Sequence, residues 1–189
     1  FMGEHTQDDL NRLQDLLQAG GACAVGEIGL DLFIPDTDLE RQLYFLKAQL
    51  EFAKSFDLPV ILHVRKAHDQ MLKLLRRFSL PKAGVIHAFS GSEQQAKEYI
   101  GLGFKLGVGG TVTYERAKRL RRIVESTALQ DMVLETDAPD MPLAAYRGEI
   151  NQPCRIAEVA KVIAFLKGCS TEEVALETTA QACNLFGIK

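Results

Sequence analysis

Residues 59–64 read Pro-Val-Ile-Leu-His-Val, and this nearly continuous apolar run predicts a buried strand. Strands of this kind are typical of parallel sheets, because helices cover both faces of such a sheet. The segments on either side have helical periodicity instead. An amphipathic pattern covers 39–56, with apolar positions at Leu43, Leu46, Leu50 and Ala53, and a further helix is predicted at 67–78. The run therefore lies between two predicted helices.

The same alternation continues in both directions along the chain. Four more strands are predicted at 22–32, 84–88, 104–109 and 132–135, and each strand is followed by a helical pattern. The other predicted helices are 6–18, 93–102, 115–125, 155–167 and 171–185, the last with a capping sequence at Ser170-Thr171-Glu172-Glu173. The sequence thus predicts an α/β chain with a parallel sheet, either open or barrel-like, in a single domain over 1–189.

Composition narrows the class of protein. The chain has 189 residues, 47% of them hydrophobic, and its 22 basic and 25 acidic residues give a net charge of −3. These values fit one globular domain without a membrane span or a generally basic surface, although a local basic groove remains possible. The four cysteines form no C-x-x-C pair, so we expect buried, reduced thiols and a cytoplasmic protein. No stable protein partner can be inferred.

Metal-ligating residue types end four of the five predicted strands: Glu27, His63, His87 and Asp137. Because parallel strands bring their carboxyl ends to one edge or mouth, we expect these side chains to converge. Carboxylate and imidazole groups are ligands of zinc, manganese and similar cations, and four of them suffice for one metal. A lone buried histidine is more often a hydrogen-bonded core residue, but two histidines in equivalent positions favour the metal site.

Other residues near these strand ends have weaker signals. Glu135 lies two positions before Asp137 and is predicted to orient a ligand as a hydrogen-bond acceptor. Arg65 is predicted either to bind an anionic substrate or to pair with an acid. Asp31 is predicted to cap the following turn. Ser90 and Gly91 are candidates for presenting backbone N–H groups to a phosphate.

Two further patterns favour ordinary surface roles. His5 and His68 are interpreted as surface residues. The stretch 114–125 is predicted to be a helix with a basic face on which Arg116, Arg119 and Arg122 recur every three residues. A solvent-exposed face is the default interpretation, and the more specific hypothesis is that this face contacts phosphates next to the predicted metal site.

Four motifs in order resemble those of one family. VGEIGLD (25–31), PVILHVRKAHD (59–69), VIHAFSGS (85–92) and LETDAPDMP (134–142) are similar to the successive motifs of the TatD-type deoxyribonucleases, which are metal-dependent hydrolases of the amidohydrolase superfamily. The resemblance implies a TIM-type (β/α)8 barrel of which this chain supplies the last five βα units. The family's first three strands and its His-x-His pair have no counterpart in the sequence.

The resemblance also implies roles for individual residues. Glu27 is expected to be a carboxylate ligand able to bridge two metals, and His63 and His87 are expected to be ligands. Asp137 is expected to be a ligand and a proton acceptor. One or two divalent cations, Zn²⁺, Mg²⁺ or Mn²⁺, would activate a water molecule that cleaves a phosphodiester bond of DNA or a similar substrate. A small-molecule amide or ester hydrolase and a non-catalytic interaction module remain the alternatives.

Overall fold

The computed structural model of the chain describes residues 4–188 and divides it into two compact units, with the boundary between Val85 and Ile86. Its five strands form a parallel sheet in the order β1-β2-β3-β4-β5. The predicted α/β class with a parallel sheet is confirmed, and no predicted helix or strand is missing. None of the helices within residues 4–188 has the length and apolar character needed to cross a membrane.

The first unit alternates helices and strands. In chain order these are α1 (Gln7–Ala19), β1 (Val25–Asp31), α2 (Leu39–Ser55), β2 (Val60–Arg65) and α3 (His68–Phe78), and the unit ends inside β3 (Gly84–His87). Helix α2 packs on β1, and α3 packs on β2. The side chains of Leu30, Leu46, Leu50, Leu62 and Met71 are fully buried between these layers. Their burial provides the hydrophobic stabilisation that fixes β1 and β2 side by side.

The second unit continues the pattern and ends in two helices. It contains α4 (Glu93–Gly101), β4 (Lys105–Val108), α5 (Lys118–Ser126), β5 (Met132–Leu134), α6 (Ile156–Lys167) and α7 (Thr171–Phe186). The hydroxyl of Ser170 accepts a hydrogen bond from the backbone N–H of Glu173 at 3.1 Å, which confirms the predicted cap of α7. Helices α6 and α7 both contact β5, so they cover the strand that precedes Asp137.

Two burial predictions were wrong. Cys23 and Cys154 are exposed and Cys169 and Cys183 are half-buried, so the four thiols are not core residues. Cys23 precedes β1, which begins only at Val25, and it therefore lies outside the buried strand. His68 is only 8% exposed. It begins α3 and lies three, four and seven residues before buried Met71, Leu72 and Leu75, so the helical period places it on the buried face.

The basic segment also differs from its prediction. Residues 110–113 form a 3₁₀ turn and α5 begins only at Lys118, so Arg116 is not part of the helix. The expected repeat of Arg116, Arg119 and Arg122 on one helical face is therefore absent. Backbone hydrogen bonds from Tyr114 to Thr111 and from Ala117 to Tyr114 form the turns that delay the helix.

Candidate functional site

One group of polar side chains lies on β1 and β2 in the first unit. This group, the His63 cluster, consists of Glu27, Asp31, His63 and Arg65. Gly29 is the register partner of His63, and Asp31 is the partner of Arg65. Because side chains alternate along a strand, these polar residues lie on the face opposite buried Leu30, Leu62 and Val64. A β-carbon at Gly29 would lie 1.8 Å from the carbonyl oxygen of His63, so glycine is required for this close approach.

The direction of the Glu27 side chain follows from a bulge in β1. The register passes from Val25 opposite Val60 to Ile28 opposite Leu62, so β1 has one extra residue there. Such a bulge re-aims the side chains that it contains. Glu27 Oε1 lies 2.8 Å from His63 Nδ1. This hydrogen bond is the main reason why the pKa of His63 is raised above its ordinary value, since the carboxylate stabilises the protonated ring.

Asp31 connects the other members of the His63 cluster. Its Oδ2 is 3.4 Å from His63 Nε2 and 3.8 Å from Arg65 Nη1. Its Oδ1 accepts a hydrogen bond from the backbone N–H of Phe33 at 2.8 Å, which confirms the predicted turn cap. The guanidinium of Arg65 also lies 3.8 Å from the centre of the Phe33 ring. The predicted pairing of Arg65 with an acid is therefore present, and its predicted binding of an anionic substrate stays a prediction.

A second group lies in the second unit, at the end of β3 and directly after β5. This group, the His87 cluster, consists of His87, Glu135 and Asp137. His87 Nδ1 is 3.0 Å from Glu135 Oε2, and His87 Nε2 is 3.5 Å from Asp137 Oδ1. The other oxygen of Glu135 accepts a hydrogen bond from the backbone N–H of Ala88. Glu135 thus holds two successive residues at the carboxyl end of β3.

The His87 cluster offers one nitrogen and one carboxylate oxygen to a metal ion. An imidazole that donates its Nδ1–H to a carboxylate keeps the lone pair on Nε2, which is the usual arrangement of a metal-ligating histidine. Here that lone pair is on the side of Asp137, whose side chain is 43% exposed, whereas His87 is only 13% exposed. One nitrogen and one carboxylate oxygen at 3.5 Å can share a cation at ordinary ligand distances of about 2.0–2.2 Å.

Larger donor groups are not found within either cluster. No set of three or more His, Cys, Asp or Glu side chains in residues 4–188 has an arrangement suited to a metal ion. The structure brings Glu27 to His63 and brings His87 to Asp137 and Glu135. The expected convergence of all four predicted ligands stays a prediction.

Gly107 in β4 makes room for the carboxylate of Glu135. A β-carbon at this position would lie 2.5 Å from Glu135 Oε2 and 2.7 Å from its Cδ. Distances this short are not tolerated, and Glu135 is held by His87 and Ala88. The sequence contained no signal for this requirement, because glycine is common in strand-end segments for other reasons.

We expect Gly107→Ala to displace Glu135 and to lower the free energy of unfolding by about 1–3 kcal/mol, the cost of leaving buried hydrogen-bonding groups unpaired. Urea denaturation measures the change. Gly101→Ala is the matched control, because a β-carbon there meets no atom within 4 Å at the end of α4. Equal unfolding free energies for the two variants would show that Gly107 does not constrain Glu135.

The loop after β5 holds Asp137 through backbone contacts. Asn151 is only 3% exposed, and its side-chain amide donates hydrogen bonds to the carbonyl groups of Asp140 at 2.9 Å and Met141 at 3.2 Å. Its own backbone N–H donates to Pro139 at 2.8 Å. The hydroxyl of Tyr114 donates to the carbonyl group of Pro142 at 2.9 Å. Asn151 carried no signal in the sequence, because its hydrogen bonds to the loop after β5 depend on the fold.

Ser90 and Gly91 lie in the turn that leads into α4. The carbonyl group of Ser90 accepts a hydrogen bond from Arg119 Nη2 at 2.9 Å. Gly91 is buried, and a β-carbon there would lie 2.8 Å from the Phe89 ring. These contacts give both residues a structural role. Their predicted contact with substrate stays a prediction.

Comparison with known sequences gives matches over nearly the whole chain. A family model described as TatD related DNase matches residues 2–187. The uncharacterized metal-dependent hydrolase YjjV of Escherichia coli K12 is 45% identical over 190 residues, which span 100% of this chain and 73% of that protein. The 3′-5′ ssDNA/RNA exonuclease TatD of Erwinia amylovora is 33% identical over 183 residues, which span 93% of this chain and 70% of that protein.

Comparison with solved structures agrees. The crystal structure of YjjV, a TatD homologue from Escherichia coli K12, matches the chain with a TM-score of 0.97 at 44% identity, over 100% of this chain and 74% of that one. A TatD family hydrolase from Entamoeba histolytica matches with a TM-score of 0.83 at 21% identity, which shows the fold alone. These matches confirm the predicted fold class, that of a TIM-barrel hydrolase.

Proposed function

Because the chain belongs to the family of TatD related DNases, we propose that it is an exonuclease that hydrolyses phosphodiester bonds at the ends of DNA. The family match and the names of its relatives establish the coarser statement that it is a metal-dependent hydrolase. The step from hydrolase to exonuclease is supported by the Erwinia amylovora relative, which is named as acting on single-stranded DNA and RNA.

The single observation that carries the proposal is the position of His87 between Glu135 and Asp137. Glu135 accepts a hydrogen bond from the Nδ1–H group and fixes the ring, which leaves Nε2 on the side of Asp137. A second carboxylate at 3.5 Å from the remaining nitrogen places negative charge beside the position that a cation bound to that nitrogen would take. The imidazole nitrogen and the carboxylate oxygen then bind the cation together.

We assign Glu27, His63, His87 and Asp137 as the ligands of one or two divalent cations, Zn²⁺, Mg²⁺ or Mn²⁺. Such a cation, when bound, lowers the pKa of a water molecule towards neutrality and neutralises charge on a phosphate. The contact of His87 with Asp137 supports the assignment, since it leaves one nitrogen and one carboxylate oxygen at a distance that a shared cation fits. Glu27 and His63 are adjacent in the first unit, so both can reach a cation on their side.

The reaction needs a proton acceptor and groups that orient the substrate. Asp137 is the most exposed carboxylate of the His87 cluster, and we propose that its second oxygen accepts the proton of the attacking water. Arg65 is 51% exposed and presents a planar guanidinium group. In this proposal its guanidinium binds a phosphate oxygen, while Asp31 and Phe33 hold it in place.

A substrate comparison tests the proposal. We expect the purified protein with Mn²⁺ to shorten a 5′-labelled single-stranded DNA stepwise from the 3′ end. It should turn over small amides, lactones and carboxylic esters at least about 100-fold more slowly, because they do not offer the charge that the cation and arginine neutralise. Faster turnover of the small substrates would favour a small-molecule hydrolase, and no turnover of either class would favour a non-catalytic module. Both results would overturn the proposal.

A further inference from the structure

The basic segment 116–122 contains five cationic side chains, and three of them are engaged within the second unit. Arg121 Nη1 donates to the carbonyl group of Val112 at 2.9 Å, and Arg122 Nε lies 3.9 Å from Glu93 Oε1. Arg119 holds the turn at Ser90, as described above. These three residues join α5 to two neighbouring turns and to the start of α4, so the segment is not one continuous basic surface. Arg116 and Lys118 remain as exposed cations.

Arg116 is held by an aromatic ring. Its guanidinium carbon lies 5.1 Å from the centre of the Tyr114 ring. Tyr114 is itself fixed by its hydrogen bond to Pro142, in the loop that follows Asp137. Within residues 4–188, Arg116 forms no ion pair with a carboxylate. The guanidinium is therefore positioned and charged, and its hydrogen-bonding groups face solvent.

The position of Arg116 relates it to the His87 cluster. Tyr114, Arg116, Ala117 and Pro142 line a shallow groove together with Thr111 and Met141. Thr111 and Met141 also line a small pocket that contains Glu135 and Asp137. The two depressions thus share Thr111 and Met141, so a chain molecule lying in the groove has Asp137 in the adjoining depression. Lys118 lines neither of them.

We infer that Arg116 is a subsite residue that binds a backbone phosphate of a single-stranded nucleic acid whose end lies at Asp137. This inference rests on the proposed function, and it adds where the single-stranded nucleic acid lies beyond its end. A planar guanidinium offers paired N–H donors to two phosphate oxygens, which suits an anion that recurs along a chain. Tyr114 acts as a positioning residue, because its ring and hydroxyl group hold the guanidinium against the loop of Asp137.

The test measures binding without hydrolysis. Fluorescence anisotropy with a labelled ten-nucleotide single-stranded DNA is recorded at several salt concentrations, with Asp137→Asn as the parent protein. We expect Arg116→Ala to weaken binding about tenfold and to reduce the slope of log Kd against log salt by about 0.7, the value for one phosphate contact on a single strand. Arg116→Lys should retain the slope but bind less tightly.

Lys118→Ala is the matched control, because it removes one exposed positive charge two residues away. Its affinity and slope should equal those of the parent. Equal effects of Arg116→Ala and Lys118→Ala would overturn the inference but leave the proposed function intact if the wild-type protein hydrolyses DNA. No binding by the parent, together with no hydrolysis by the wild type, would overturn both.

Discussion

Asp137→Asn should lower the rate of DNA hydrolysis by about 10²–10⁴-fold, the usual contribution of a general base. Asparagine has the same shape as aspartate, but it neither accepts the proton of water nor carries the charge that a divalent cation requires. Asp137 is 43% exposed and its side-chain contact with His87 is long, at 3.5 Å. The free energy of unfolding should therefore change by less than about 1 kcal/mol. Initial rates and urea denaturation measure the two effects.

Asp140→Asn is the control for this substitution. Asp140 is exposed in the same loop, and its contacts with Asp137 and Asn151 use only its backbone. The control variant loses the same charge at nearly the same place and should retain the wild-type rate. If Asp137→Asn were as active as Asp140→Asn, the role assigned to Asp137 would be wrong.

His87→Ala should reduce both metal affinity and hydrolysis more strongly than any change to its supporting residue. The substitution removes a nitrogen ligand outright. Glu135→Gln retains an acceptor for His87 Nδ1 but loses the charge, and we expect it to weaken metal binding by about 10–100-fold. Isothermal titration with Zn²⁺ and Mn²⁺ measures the affinities independently of activity.

His5→Ala is the control for His87→Ala, because His5 is an exposed histidine of the first unit whose side chain is 50% exposed. Its removal should leave metal affinity unchanged. An affinity for Zn²⁺ and Mn²⁺ that is equal in His87→Ala and His5→Ala would contradict the assignment of His87 as a ligand. A loss in Glu135→Gln that exceeded the loss in His87→Ala would show that Glu135 is itself the ligand.

Much of the fold follows from the sequence because the buried strands are short apolar runs with polar ends. The prediction that side chains at the strand ends converge needed only the parallel arrangement, and one of the expected contacts is present, since His87 lies 3.5 Å from Asp137. The role of Glu135 was predicted from its spacing. Glu135 Oε2 lies 3.0 Å from His87 Nδ1, which supports that role, and the variants above test it.

Other features depend on contacts that a sequence pattern does not contain. The contact of Asp31 with His63 follows from the register of β1 and β2, which the bulge at Glu27 shifts by one residue. The need for glycine at position 107 follows from the path of the Glu135 side chain. The position of Arg116 outside α5 follows from a 3₁₀ turn, and helical spacing alone could not distinguish that turn from a longer helix.

Burial errors have a similar cause. The prediction for Cys23 assigned it to an apolar run that extends beyond the hydrogen-bonded strand, which begins at Val25. The prediction for His68 treated a polar residue near a helix start as solvent-exposed, although its spacing to Met71 and Leu75 matches the buried stripe of α3. Periodicity was the better guide in that case, and residue polarity was the weaker one.

The most direct test of the metal-dependent nuclease is the rate of nucleotide release from 5′-labelled single-stranded DNA by the wild-type protein. The rate is measured after treatment with EDTA and again after addition of Mn²⁺, Mg²⁺ or Zn²⁺. The proposed site predicts no release in EDTA and recovery with at least one of the three cations, but a recovered rate at least about 100-fold lower in Asp137→Asn and His87→Ala. Release that persists in EDTA, or recovery of the wild-type rate in either variant, would contradict it.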